Sequence, residues 1–111
     1  VYNPFSFKMS RINPQQWGRQ VESAVGAYLL NEAEKYRMKV YYWRQNNAEV
    51  DYVVEYARQI IAIEVKSNGV RTNAGLNIFK KQFNPKSAFT VGDAGIPLDI
   101  FLKTPIKDYF V

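Results

Sequence analysis

Four ionisable side chains are set apart by their types and spacing: Glu22, Asp51, Glu64 and Lys66. Glu64-Val65-Lys66 closes the apolar run Ile60-Ile61-Ala62-Ile63. Side chains alternate along an extended strand, so Glu64 and Lys66 point the same way, about 7 Å apart, with Val65 on the other side. Asp51 lies in the preceding segment, where Val50, Tyr52, Val54 and Tyr56 alternate with Glu49, Asp51, Val53 and Glu55, the period of a strand with two different faces. If hairpin pairing brings Asp51 to the Glu64 face, two carboxylates and one ammonium meet at the end of a buried sheet. That is what a metal-dependent phosphodiesterase site requires. Carboxylate oxygens suit a hard cation such as Mg²⁺, and a lysine beside them stabilises charge developing on a phosphate.

The elements that must position these residues can be read along the chain. Residues 1–13 have no sustained period and read as a connecting segment, and 14–111 as one domain. From Pro14 to about Tyr36 the pattern is helical, with Asn13 as cap. Glu22, Val25, Leu29, Ala33 and Tyr36 form one stripe, and Trp17, Val21, Ala24 and Tyr28 the adjoining one. Glu22 is the odd member, because a carboxylate among core residues is costly unless a cation or donors meet it. Its ordinary alternative is a stripe-edge position paired with Arg19.

Met38–Arg44 reads as a first strand and Gln45-Asn46-Asn47 as a turn. Strands over 49–56 and 60–66 are joined through Ala57-Arg58-Gln59, a hairpin connection without the Gly or Asn that such turns favour. A helix follows from Ala74 to Phe83, with Leu76, Ile78, Phe79 and Phe83 as its apolar positions. The strand 88–91 completes a strand-helix-strand crossover, hence parallel to the strand ending at Lys66. Pro97 and Pro105 open two short helices, through Leu102 and Phe110. The expectation is an α/β domain whose small mixed four-stranded sheet, a meander plus one parallel strand, is flanked by helices.

Composition narrows the chemistry. The 111 residues hold no His and no Cys, which removes imidazole bases, Ser-His triads, thiolate zinc sites and disulfides. Hydrolysis, if present, must use carboxylates, lysine and a hard cation. A net charge of +5 suits a polyanionic partner. Neither a membrane span nor a signal peptide is apparent, so a cytoplasmic domain is expected. The opening Val1-Tyr2-Asn3-Pro4 reads as a chain already under way, part of a longer protein.

Four segments, Gly18-Arg19-Gln20-Val21-Glu22, Tyr41-Tyr42-Trp43-Arg44, Ala48-Glu49-Val50-Asp51 and Ile63-Glu64-Val65-Lys66-Ser67, resemble the PD-(D/E)xK nuclease superfamily. More narrowly, they look like the C-terminal domain, of unsettled function, of a family of prokaryotic AAA-type ATPases. The resemblance implies a restriction-endonuclease-like fold. It also implies Mg²⁺ or Mn²⁺ held by Asp51 and Glu64 with the Val65 carbonyl, Glu22 as a direct or outer ligand, and Lys66 holding the attacking water. The partners implied are DNA and the ATPase core of the parent chain.

Two other readings stand beside this one. Asp51, Glu64 and Lys66 can form an ordinary cross-strand ion pair at a sheet end, and the domain can be a non-catalytic interaction or regulatory module, or a plain basic nucleic-acid binder. Arg44, Arg71, Lys80, Lys81 and Lys86 can track a phosphate backbone. Trp43 and Tyr41-Tyr42 can stack on bases, although strand spacing favours the core.

Overall fold

The computed structural model describes residues 9–11, 24–66, 74–92 and 95–111. In chain order these form β1 (Met9–Arg11), α1 (Ala24–Tyr36), β2 (Lys39–Gln45), β3 (Ala48–Tyr56), β4 (Gln59–Lys66), α2 (Ala74–Phe83), β5 (Ser87–Gly92), α3 (Leu98–Lys103) and a 3₁₀ helix (Ile106–Phe110). The strands make one sheet in the order β1-β2-β3-β4-β5. Pairing is antiparallel from β1 through β4 and parallel between β4 and β5. The expected mixed α/β arrangement is present in β2–β5. What the sequence did not disclose is β1, cut from the segment read as a connector, which adds a fifth strand at the edge through Met9↔Trp43 and Arg11↔Tyr41. Three residues cannot display a period, so only their pairing with β2 identifies them. Residues 12–23, including the start of the expected helix and Glu22, lie outside the described residues.

The central strand explains the layering. Ile60, Ile61, Ala62 and Ile63 are each at most 3% exposed, so apolar cover is needed on both faces of β4. Val25 and Leu29 of α1, Phe101 of α3 and Ile106 pack on one face over Val40, Tyr52, Val54, Ile61 and Ile63. Leu76 and Phe79 of α2 cover the other over Tyr41, Trp43, Val50, Val53, Ile60 and Ala62. Trp43 is fully buried, edge-on to Phe79 with centroids 5.3 Å apart. Tyr41 is buried too and its hydroxyl donates to Glu55 Oε1 at 2.8 Å. Both are core residues, which removes them as stacking platforms. Helix α2 has the expected bounds, but Ile78 is 40% exposed, because the buried line follows Leu76, Phe79 and Phe83 at spacings of three and four.

A buried carboxylate ties the helices of the first face together. Glu32 is 5% exposed, and its Oε1 accepts the Ile106 N–H at 3.0 Å, the start of the 3₁₀ helix. Tyr28, one turn earlier, donates its hydroxyl to the Thr104 carbonyl at 2.6 Å and lies 3.4 Å from Glu32 Oε1. Burial, and then the neighbouring Glu32 charge, push the Tyr28 phenol up to about 12. Glu32 thus supplies the acceptor that an exposed helix start would find in water.

The two hairpins differ in their turn chemistry. Asn46-Asn47 joins β2 to β3 with Asn46 at φ 57°, a conformation that Asn tolerates. Ala57 and Arg58 join Tyr56 to Gln59 with φ of 52° and 67°. Two left-handed residues match the twist of the flanking strands, which is why Asn-Gly is the usual choice there. Ala and Arg take that conformation at a cost of roughly 1 kcal/mol or more each.

Replacing the turn by Ala57→Asn with Arg58→Gly is therefore expected to raise unfolding stability in urea by about 1–2 kcal/mol; an unchanged midpoint would argue against strain. Glu32→Ala is expected to cost about 2–3 kcal/mol by leaving the buried Ile106 amide without an acceptor, and Glu32→Gln less than half of that.

Candidate functional site

The strand pairing decides where Asp51 falls. Between β2 and β3, Tyr41 pairs with Val53 but Trp43 with Val50, so β3 carries one extra residue opposite Tyr42. This bulge corrects the simple alternation expected for β3. Val50 packs with Val53 on the α2 face, and Tyr52 and Val54 on the opposite one. On the other side of β3, Tyr52 pairs with Ile63, and the register continued by one residue sets Asp51 opposite Glu64. The extra residue allows Val50 to stay in the core while Asp51 shares the face of Glu64, the kind of re-aiming for which bulges are known.

The ladder between β3 and β4 ends at Tyr52↔Ile63, and a side chain takes over from there. Asp51 Oδ2 accepts the backbone N–H of Val65 at 2.9 Å. The acid on β3 is thereby tied to the middle residue of Glu64-Val65-Lys66. Glu64 is 8% exposed with its Oε1 inaccessible to solvent, whereas Asp51 and Lys66 are half-buried. Val65 packs against the α1-side core, so Glu64 and Lys66 occupy the opposite face, as the alternation requires.

Two glycines frame this end of the sheet. Gly92, at φ 113°, pairs with Lys66, and a Cβ there would collide with the Lys66 carbonyl. Gly75, in the first turn of α2, leaves no room for a Cβ against the Glu49 backbone. The last residue of β5 and the start of α2 are thus held close to the strands that carry the acids. This is the carboxyl end of the parallel pair β4–β5, where open α/β sheets place their ligands.

Of the other residues with candidate roles, Glu22 and Arg71 lie outside the described residues. Arg44 is exposed and pairs with Glu49 at 3.3 Å, an ordinary surface ion pair. Lys80, Lys81 and Lys86 are exposed. Among the described residues no three Asp or Glu side chains gather to hold a cation, and strand register alone sets Asp51 opposite Glu64. Gly75, Gly92 and Glu32 were not singled out in the sequence. Glu32 could have been found, since it falls on the Val25-Leu29-Ala33 stripe and four residues after Tyr28; the glycines carry no such signal, because close approach is a tertiary property.

One family profile matches residues 17–109, from before α1 into the 3₁₀ helix. The chain belongs to this family, a domain of unknown function (DUF4143). No curated protein and no solved structure matches it. No described helix of this DUF4143 domain is long and apolar enough to cross a membrane.

Carboxylates facing each other across two strands at about 5 Å repel by roughly 3 kcal/mol at an effective dielectric near 20. In chelator, Glu64→Gln and Asp51→Asn, which keeps an acceptor for the Val65 amide, are expected to melt at least about 4 °C above wild type. Asp51→Ala, which loses that acceptor, is expected to melt below both. Identical melting of all four proteins would mean that the two acids do not interact.

Proposed function

We propose that this DUF4143 chain is a divalent-metal-dependent nuclease-like domain of the PD-(D/E)xK kind, acting on DNA phosphodiester bonds and appended to an AAA-type ATPase. The observation that carries this reading is the hydrogen bond from Val65 N–H to Asp51 Oδ2. It joins an acid on a bulged strand to the backbone of a Glu-x-Lys strand end. An ion pair between exposed cross-strand charges would need neither the bulge nor the largely buried Glu64.

The donor set fits Mg²⁺ or Mn²⁺. Asp51 and Glu64 offer hard carboxylate oxygens, no third Asp or Glu among the described residues joins them, and backbone oxygens such as the Val65 carbonyl can add to the set. The amide of Val65 takes up one oxygen of Asp51, so ligation would fall to the other. Glu22 is the third acid of the reading. When bound, such a cation supplies Lewis-acid polarisation of the phosphodiester and a lowered pKa for attacking water. Lys66 places a compact positive charge beside the phosphate, where it opposes the charge that builds in the transition state. Gly92 lets β5 lie directly against the Lys66 backbone at this end of the sheet. The net charge of +5 favours approach of a polyanion.

Calorimetric titration of Mn²⁺ into wild type and Asp51→Asn, with a short DNA duplex present to complete the coordination shell, tests the reading. Saturable binding in wild type that weakens at least about tenfold in Asp51→Asn is expected, followed by Mn²⁺-dependent cleavage by the full-length parent. Absence of binding in both proteins would favour the alternative, a non-catalytic module of the same fold that docks a protein partner or nucleic acid.

A further inference from the structure

At the opposite end of β4 from Lys66, about 20 Å away at the rise of a strand, the surface opens into a cavity of about 370 Å³. Two cationic side chains, Arg58 and Lys86, and two amides, Gln59 and Asn84, line it together with apolar Ile60, Phe83 and Pro85. Among the described residues no acid contributes to its wall. We propose that this cavity binds a small anion carrying an aromatic or apolar body, with Arg58 and Lys86 holding the anionic head.

Three observations support that ligand class. The first is chemical. Two cations and two amides over an apolar floor complement an anionic head on an apolar body, and an Arg fork binds phosphate or carboxylate oxygens in pairs.

The second is rigidity. Phe83 is packed against Phe79 with centroids 4.6 Å apart and lies edge-on to Trp43 at 6.3 Å. The Lys86 N–H donates to the Ile60 carbonyl at 2.8 Å, which ties the segment after α2 to the start of β4. The apolar wall is therefore in place before any ligand arrives.

The third is the turn. Five non-glycine residues among those described have positive φ: Arg37, Asn46, Ala57, Arg58 and Asn84. Arg37 and Asn84 follow the ends of α1 and α2, where a left-handed residue closes the helix, with Asn84 N–H donating to the Lys80 carbonyl. Asn46 is suited to its turn. Ala57-Arg58 takes the two left-handed conformations that a two-residue hairpin requires, but with residues that favour them less than Asn-Gly does, and Arg58 is one of the residues that wall the cavity. Backbone strain retained by the fold tends to gather at ligand sites, where it aims a side chain. Here it sets the base of the Arg58 side chain at the rim.

The test is a titration of the isotopically labelled chain with phenyl phosphate and with inorganic phosphate, followed by amide NMR shifts. Saturable shifts at Gln59, Ile60, Asn84 and Lys86 are expected, with phenyl phosphate bound at least tenfold more tightly than inorganic phosphate. Arg58→Gln and Lys86→Gln are each expected to weaken phenyl phosphate at least tenfold. The Ala57→Asn, Arg58→Gly turn is expected to lose binding although it folds more stably, so loss of the fold cannot mimic the result. Shifts that never saturate, equal affinity for the two anions, or unchanged affinity in the single variants would each overturn the proposal. Chelator and Asp51→Asn leave this binding unchanged, so its outcome is independent of the acids at the other end of β4.

Discussion

The strand β4 is buried on both faces, and that constraint organises the molecule. Four consecutive apolar residues, Ile60 to Ile63, demand cover above and below, and the chain meets the demand with α1, α3 and the 3₁₀ helix on one side and α2 on the other. A polar residue within such a strand would forfeit several kcal/mol of hydration. Polar chemistry is therefore confined to the strand's ends. Glu64 and Lys66 stand at one, and the cavity of Arg58 and Lys86 opens at the other.

The bulge in β3 links this constraint to the acids. A regular strand would put Val50 and Asp51 on opposite faces, so one of them would be misplaced. The extra residue opposite Tyr42 lets both occupy the α2 face, the valine in the core and the aspartate beyond its edge. The Asp51 carboxylate then accepts the Val65 amide, replacing the ladder bond that ends where β3 and β4 part. One hydrogen bond thus closes the β3–β4 ladder and holds the acid.

Glu32 and Asp51 show how two acids in one small fold differ in consequence. Glu32 meets a buried amide, Ile106 N–H, and the Tyr28 hydroxyl lies beside it, so its charge is answered by donors of the chain itself and its role is to hold α1 to the C-terminal helices. Asp51 meets one amide and stands opposite a second acid. The first arrangement stabilises a fold without further help; the second leaves two carboxylates facing each other across the strands. The strained turn at Ala57-Arg58 is a further departure from what stability alone would select, since Asn-Gly would relieve it.

Much of the architecture was legible in the chain because local patterns and tertiary demands agree. The apolar run 60–63 announces a two-sided strand, and Leu76, Phe79 and Phe83 announce the helix that covers it. The break after Lys66 followed by the strand near 88–91 implies the parallel crossover, and Glu64-Val65-Lys66 shares its faces as alternation requires. The sequence by itself determined these elements, their order, and the presence of acids and a lysine beside the end of a buried strand. Tertiary structure alone decided the rest. Met9–Arg11 is a strand because β2 offers an edge, Val50 and Asp51 share a face because β3 carries an extra residue against β2, and Gly75 and Gly92 matter because another backbone lies against them. The reason is physical: a period of two or of three and four is a property of one segment, whereas a bulge, an edge pairing or a close approach exists only between segments already brought together.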